Sequence, residues 1–156
     1  MLLRLSLTLF LLLPYIHAEP LSPWGNADVL KIEYAPHKVL YDVDYGSLDK
    51  LANILDRASY LNTLYKADPF ESSIIIILHG QSIPFFAKEN TQRYKPFLKR
   101  AYALTLNGNI EFRMCQAAAK AMNYSYQDIH GFIQMVPMAD AEIVRLQKEE
   151  GYSYMR

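Results

Sequence analysis

The chain has 156 residues, of which 51% are hydrophobic and 13% aromatic, so it is long and apolar enough to fold around a core and is not a disordered chain. Its 16 lysine and arginine residues balance its 16 aspartate and glutamate residues. This balance excludes a strong net field that would attract nucleic acid or an acidic membrane surface, and we expect neither as a partner.

Residues 1–18 have the three-part layout of a secretory signal. A short positive start, residues 1–4, precedes an apolar stretch at residues 5–13, and a break then leads to the small residue Ala18. We expect cleavage after Ala18, and export, with the periplasm as the destination in a Gram-negative cell. The apolar stretch is too short to span a bilayer comfortably, so we expect no stable membrane anchor. An irregular arm at residues 19–37, interrupted by prolines, follows the signal.

The remaining residues, 38–156, predict one α/β domain. Residues 38–44 read as a first strand, and residues 48–66 repeat apolar side chains at helical spacing. Residues 73–78 contain four consecutive isoleucines followed by leucine, which is typical of a central parallel strand covered on both faces. A turn at His79 and Gly80 ends this strand.

Further elements continue the alternation of strands and helices towards the carboxyl terminus. They are a loop or short helical turn at 81–89, helices at 93–106, 116–122 and 139–149, and strands at 109–115, 132–137 and 152–155. The alternation predicts a single-domain α/β fold with a mostly parallel sheet flanked by helices on both faces, layered as in flavodoxin-like proteins.

Cys115 is the single cysteine, and it lies where a predicted strand ends and a predicted helix begins. Open α/β sheets collect their chemistry at the carboxyl ends of their strands. A helix amino terminus favours an anion and therefore favours thiolate over thiol. The alternative interpretation is that Cys115 is a small buried residue that fills a gap in the core. With one cysteine the exported chain has no internal disulfide.

His79 and Gly80 lie at the end of the isoleucine-rich strand. If this strand neighbours the one that ends at Cys115, His79 shares an edge of the sheet with the thiol and could deprotonate or stabilise it. The alternative is that His79 caps a loop carbonyl. Gly80 is expected to supply a positive φ in the turn.

Three apolar residues, Ile83, Phe85 and Phe86, lie close together in the predicted loop. Exposing these apolar side chains to water would cost free energy. The cluster therefore predicts either an interface between subunits or a cover over the edge of the sheet.

The sequence lacks the motifs that indicate a metal site, a phosphate-binding loop or a serine hydrolase. The histidines form no spaced cluster with acids or with Cys115, no glycine-rich phosphate loop is present, and no Gly-x-Ser-x-Gly motif occurs. We therefore expect no metal, no cofactor and no conventional hydrolase or metalloenzyme activity.

Ordered sequence pieces resemble the DsrE/DsrF-like family of small sulfur-relay proteins. They are IIIILHG at 74–80, FRMCQAAAK at 112–120, VP at 136–137, EIVRLQ at 142–147 and GYSY at 151–154. The pattern Arg-Leu-Gln-x-x-x-Gly-Tyr-x-Tyr is similar to that of the YchN-like subset. The resemblance implies a compact α/β fold, a homo-oligomer (a trimer or a hexamer), and a persulfide carried on Cys115 with a protein as sulfur donor or acceptor.

Two functional hypotheses follow. In the first, the protein is an exported sulfane-sulfur carrier, at most sulfurtransferase-like, with Cys115 as the carrier and His79 as thiolate partner. In the second, it is an exported, non-catalytic binding module with Cys115 buried, and a small ligand or protein partner binds near His79, Gly80, Phe85 and Phe86.

Overall fold

A computed structural model of the chain describes residues 24–156. The predicted signal at 1–18 and the first part of the arm, 19–23, lie outside the described residues. Residues 24–32 are exposed and contain no helix or strand, and the compact unit begins at Glu33. Within the described part, no helix is long and apolar enough to cross a membrane.

The described part of the compact unit contains one five-stranded sheet in which all strands run parallel, in the order β4-β3-β2-β1-β5. The strands are β1 Lys38–Val43, β2 Ser73–Leu78, β3 Ile110–Cys115, β4 Ile133–Val136 and β5 Ser153–Met155. The helices are α1 Leu48–Leu64, α2 Lys95–Thr105, α3 Gln116–Ala121 and α4 Ala139–Glu149. The predicted single-domain α/β fold with a parallel sheet is confirmed.

Strand β2 forms the centre of the sheet because its branched residues are buried on both faces. Ile74 to Leu78 are all at most 1% exposed. It pairs with β1 on one side, where Asp42 is opposite Ile77, and with β3 on the other, where Leu78 is opposite Met114. Because every strand is parallel, all of them end at the same edge, which we call the carboxyl edge.

The two faces of the sheet are covered unequally. One face packs against α1 and α2 in the larger core cluster. The other face packs against α4 in a smaller cluster; we call it the α4 face. Its buried residues are Leu40, Ile75, Ile77, Cys115, Ala139, Leu146 and Tyr152.

Element boundaries differ from the predictions at a few positions. The first helix was expected to reach residue 66 but ends at Leu64, because Lys66 and Ala67 have φ of 58° and 50°, which an α-helix cannot accommodate. The loop at 81–89 contains two short 3₁₀ segments, Gly80–Phe86 and Lys88–Asn90. The last helix has the predicted bounds, Ala139–Glu149.

Candidate functional site

Cys115 is the last residue of β3 and also the N-cap of α3. Its backbone is extended, with φ −65° and ψ 111°, so its side chain turns back towards the start of the helix. Sγ accepts a hydrogen bond from the backbone N–H of Ala118 at 3.4 Å. A backbone donor directed at sulfur stabilises negative charge on it, which is what a thiolate or a persulfide anion requires.

The same cysteine is closely packed. It is 5% exposed and belongs to the cluster between the sheet and α4, where it joins Ile77 of β2 and Ala139 of α4. Sulfur added to Sγ therefore needs room that only local movement, or a path opening at the carboxyl edge, can supply.

His79 directly follows β2 and continues its extended backbone, with φ −152° and ψ 180°. Its Nε2 lies 2.7 Å from Oδ1 of Asp42 on β1, and the two side chains are 27% and 19% exposed. The ring thus pairs with a carboxylate, and within residues 24–156 no hydrogen bond joins it to a loop carbonyl.

Asp42 has a second partner that the sequence analysis missed. The hydroxyl of Tyr154, on β5, donates to Oδ2 of Asp42 at 2.6 Å. This hydrogen bond raises the pKa of the Tyr154 hydroxyl, because the carboxylate holds its proton. One sequence signal could have indicated the site, since Asp42 is the single acidic residue in β1, a strand that is otherwise largely buried.

Register and alternation place these groups together. Leu40 of β1 and Ile77 of β2 belong to the α4-face cluster, so Asp42 and His79, two residues further along each strand, point to that face as well. Strands β2 and β3 are neighbours, so His79 and Cys115 occupy the same stretch of the carboxyl edge. In residues 24–156 no hydrogen bond joins the imidazole to Sγ.

Gly80 has φ 53°, as the predicted turn requires. A Cβ built at this position would lie 3.5 Å from Cβ of Asp44, an ordinary contact, so the need for glycine is conformational.

The loop cluster of apolar residues, for which the sequence left open an interface or a cover over the edge of the sheet, is mostly internal. Ile83 and Phe86 are at most 1% exposed, and Phe86 packs in the core against the rings of Phe97 and Phe112. Phe85 is partly buried, with its ring centroid 4.8 Å from that of Tyr94. Phe86 is therefore a core residue whose ring is not available to a ligand in this structure.

Ion pairs tie α4 to β3 close to the cysteine. Arg113 bonds Glu142 and also Oε2 of Glu111 at 2.8 Å. Hydrogen bonds from Arg145 and Arg113 lower the pKa of Glu142. Arg113 is therefore engaged by Glu142 of α4, and its side chain is 15% exposed.

An open depression of about 440 Å³ lies along α3 and the segment that follows it. Its lining residues are Gln116, Lys120, Asn123, Tyr124, Ser125 and Tyr126. Among residues 24–156, no group of three or more His, Cys, Asp or Glu side chains is arranged to hold a metal ion.

Comparison with known proteins supports a relationship to one family. The model of the DsrE/DsrF-like family matches residues 42–156. No curated protein matches the chain. A solved structure, described as a protein of unknown function, MTH1491, from Methanobacterium thermoautotrophicum, superposes with a TM-score of 0.59 at 16% identity, covering 77% of this chain and 98% of the other. This likeness is one of fold.

Proposed function

Because the chain belongs to the DsrE/DsrF-like family, we propose that it is a sulfur-relay protein that carries sulfane sulfur as a persulfide on Cys115. The observation that carries the proposal is the position of Sγ, at the carboxyl end of β3 with the N–H of Ala118 directed at it. A sulfur anion at this point is stabilised by the backbone without any cofactor.

Loading is an exchange between sulfur atoms. The Cys115 thiolate attacks the outer sulfur of a persulfide donor, R–S–SH, and a bond forms between Sγ and that sulfur. The donor S–S bond breaks, and its electron pair leaves on the donor thiolate. No external oxidant or reductant is consumed.

Delivery must go to another molecule, because the chain has no second cysteine to resolve the persulfide. The proposed acceptor is a thiol on a partner protein or a small thiol. We also propose that the chain is exported and acts after removal of residues 1–18, which is tested by the amino-terminal sequence of the protein recovered from the periplasmic fraction.

The carrier role predicts that Cys115→Ser abolishes sulfur loading while the fold persists. A hydroxyl replaces a thiol of similar size, so circular dichroism should be unchanged. The measurement is cyanide-labile sulfur after incubation with polysulfide, which we expect at about one sulfur per wild-type chain and at background in the variant. Equal labile sulfur in both proteins would refute the role of Cys115.

A second candidate function is supported by one observation, the 5% exposure of Cys115. On this account the protein is a non-catalytic binding module, and Cys115 is a packing residue. Maleimide labelling separates the two accounts. A thiol that reacts in the native protein favours the carrier, and a thiol that reacts only after denaturation favours the binding module.

A further inference from the structure

Asp42, His79 and Tyr154 form a hydrogen-bonded chain of side chains at the carboxyl edge. Tyr154 donates to Oδ2 of Asp42 at 2.6 Å, and Oδ1 of Asp42 lies 2.7 Å from Nε2 of His79. These three side chains come from β5, β1 and the end of β2, so three strands of one sheet fix their relative positions.

The hydrogen bonds assign the tautomer of His79. A carboxylate that already accepts from Tyr154 accepts again from Nε2, so Nε2 is the nitrogen that carries hydrogen. The lone pair of the neutral ring is then on Nδ1, which in residues 24–156 makes no other hydrogen bond. Nδ1 is thus the atom that can accept a proton.

Cys115 lies across from His79 on the neighbouring strand. Leu78 and Met114 are paired across β2 and β3, so His79 and Cys115 are the next lateral pair, on strands spaced by about 4.8 Å. Both side chains point to the α4 face, as their strand neighbours show. No hydrogen bond joins the two groups in residues 24–156, and the His79 side chain is 27% exposed, so water can reach the ring and carry a proton between them.

Two carboxylates near this face, Asp44 and Glu142, already have partners. Asp44 lies 3.8 Å from Arg156, and Glu142 is engaged by Arg113 and Arg145. Of the other described histidines, His37 packs edge-on against Tyr65, and His130 bonds Thr91 at 3.1 Å. His79 is therefore the imidazole placed to serve the thiol.

We propose that His79 is the base that deprotonates Cys115 and that Asp42 is the positioning residue that holds its ring. This role deepens the proposed function, on which it rests, since it names the groups that prepare the thiol for attack on a persulfide. The thiol proton passes through water to Nδ1, and Asp42 stabilises the imidazolium formed. After transfer, the imidazolium returns the proton to the departing donor thiolate.

The test is the pH profile of alkylation of Cys115 by iodoacetamide in the mature protein. The proteins compared are the wild type, His79→Gln, Asp42→Asn and the control Asp56→Asn, which removes an exposed carboxylate paired with Arg100 on α2. At about pH 7 we expect the first two variants to react about tenfold more slowly than the wild type and the control. Near pH 10 the rates should converge, because thiols then ionise without help.

Each outcome decides the proposal. Identical profiles for the wild type, His79→Gln and Asp42→Asn would overturn it, and so would a wild-type thiol that is inert until unfolding. Asp42→Asn preserves side-chain shape and serves as the second variant if His79→Gln does not fold, as judged by circular dichroism. If alkylation depends on His79 but no labile sulfur is found, His79 is still the base for Cys115 and the carrier function is rejected. If sulfur is loaded but the alkylation profiles of the variants match the wild type, the carrier function stands and the role of His79 is rejected.

Discussion

At the scale of single residues, the end of β2 combines a polar side chain, His79, with a residue in the left-handed conformation, Gly80. Gly80 adopts φ 53°, directly after His79 has turned its ring to Asp42. A left-handed residue at this point lets the chain leave the strand at once and enter the 3₁₀ segment Gly80–Phe86. The position of His79 and the conformation of Gly80 are therefore linked.

Gly80→Ala should lower the free energy of unfolding by about 1 kcal/mol, because alanine in the left-handed region is strained even where space is adequate. The measurement is denaturation by urea. Gly131→Ala is the matched control, since a Cβ there meets no atom within 4 Å and its φ is not left-handed; we expect a change below about 0.5 kcal/mol. A Gly80 variant as stable as the control would contradict the assigned conformation.

The residue-scale chemistry was only partly predictable from the sequence. Cys115 could be placed at the end of a strand and the start of a helix, because composition changes abruptly there. The partner of His79 could not be identified, since the contact with Asp42 joins residues 37 positions apart and depends on β1 lying beside β2. Burial of Phe86 was missed because a short loop sequence does not show which side faces the core.

At the scale of elements, α4 is held on its face of the sheet by a small apolar cluster and by ion pairs. Leu146 is fully buried, and Glu142 receives hydrogen bonds from Arg113 of β3 and Arg145 of its own helix. The Arg113 and Glu142 side chains are only 15% and 11% exposed, so their pairing is shielded from solvent. These contacts also fix the helix that covers Cys115.

Glu142→Gln should lower the free energy of unfolding by about 2 kcal/mol at neutral pH, since it leaves a buried arginine with one acidic partner fewer. The lowered pKa of Glu142 in the folded protein means that this stabilisation is present above its ordinary pKa of about 4.3 and is lost as pH falls through the folded value. Urea denaturation at several pH values should therefore show the wild type and the variant converging in acid.

Asp56→Asn is again the control, because this carboxylate is 64% exposed and its ion pair contributes about 1 kcal/mol or less. A difference between wild type and Glu142→Gln that stays constant down to about pH 3 would show that the carboxylate charge is not what stabilises α4.

Most elements were predictable because their patterns are strong. The four isoleucines of β2 strongly indicate a buried strand, and the apolar spacing of α1 strongly indicates a helix. The predicted bounds of both elements are close to those observed. Strand order was not predictable, because parallel strands with similar composition do not reveal their neighbours. The candidate site depends on that order, which is why the fold was easier to predict than the site.

At the scale of the whole molecule, the question is how the subunits associate. The resemblance to sulfur-relay proteins implies a trimer or a hexamer, whereas the loop cluster that also suggested an interface is largely in the core. Large apolar side chains remain exposed on or beside α4 and β5, including Met138, Val144 and Tyr154. Association through such side chains would remove them from water.

We predict that the mature protein is a trimer or a hexamer in solution. Size-exclusion chromatography with light scattering measures the molar mass directly, and the expected value is three or six times that of the processed chain. A clean monomer at micromolar concentration would contradict this prediction, and it would leave the sulfur chemistry of the single chain untouched.

Intact mass spectrometry shows directly whether Cys115 accepts sulfane sulfur. The mature protein is measured before and after exposure to polysulfide, with and without a reductant. The account predicts a gain equal to one or more sulfur atoms, confined to Cys115 and removed by the reductant. An unchanged mass, with a thiol that reacts only after unfolding, would contradict the account and make Cys115 a packing residue.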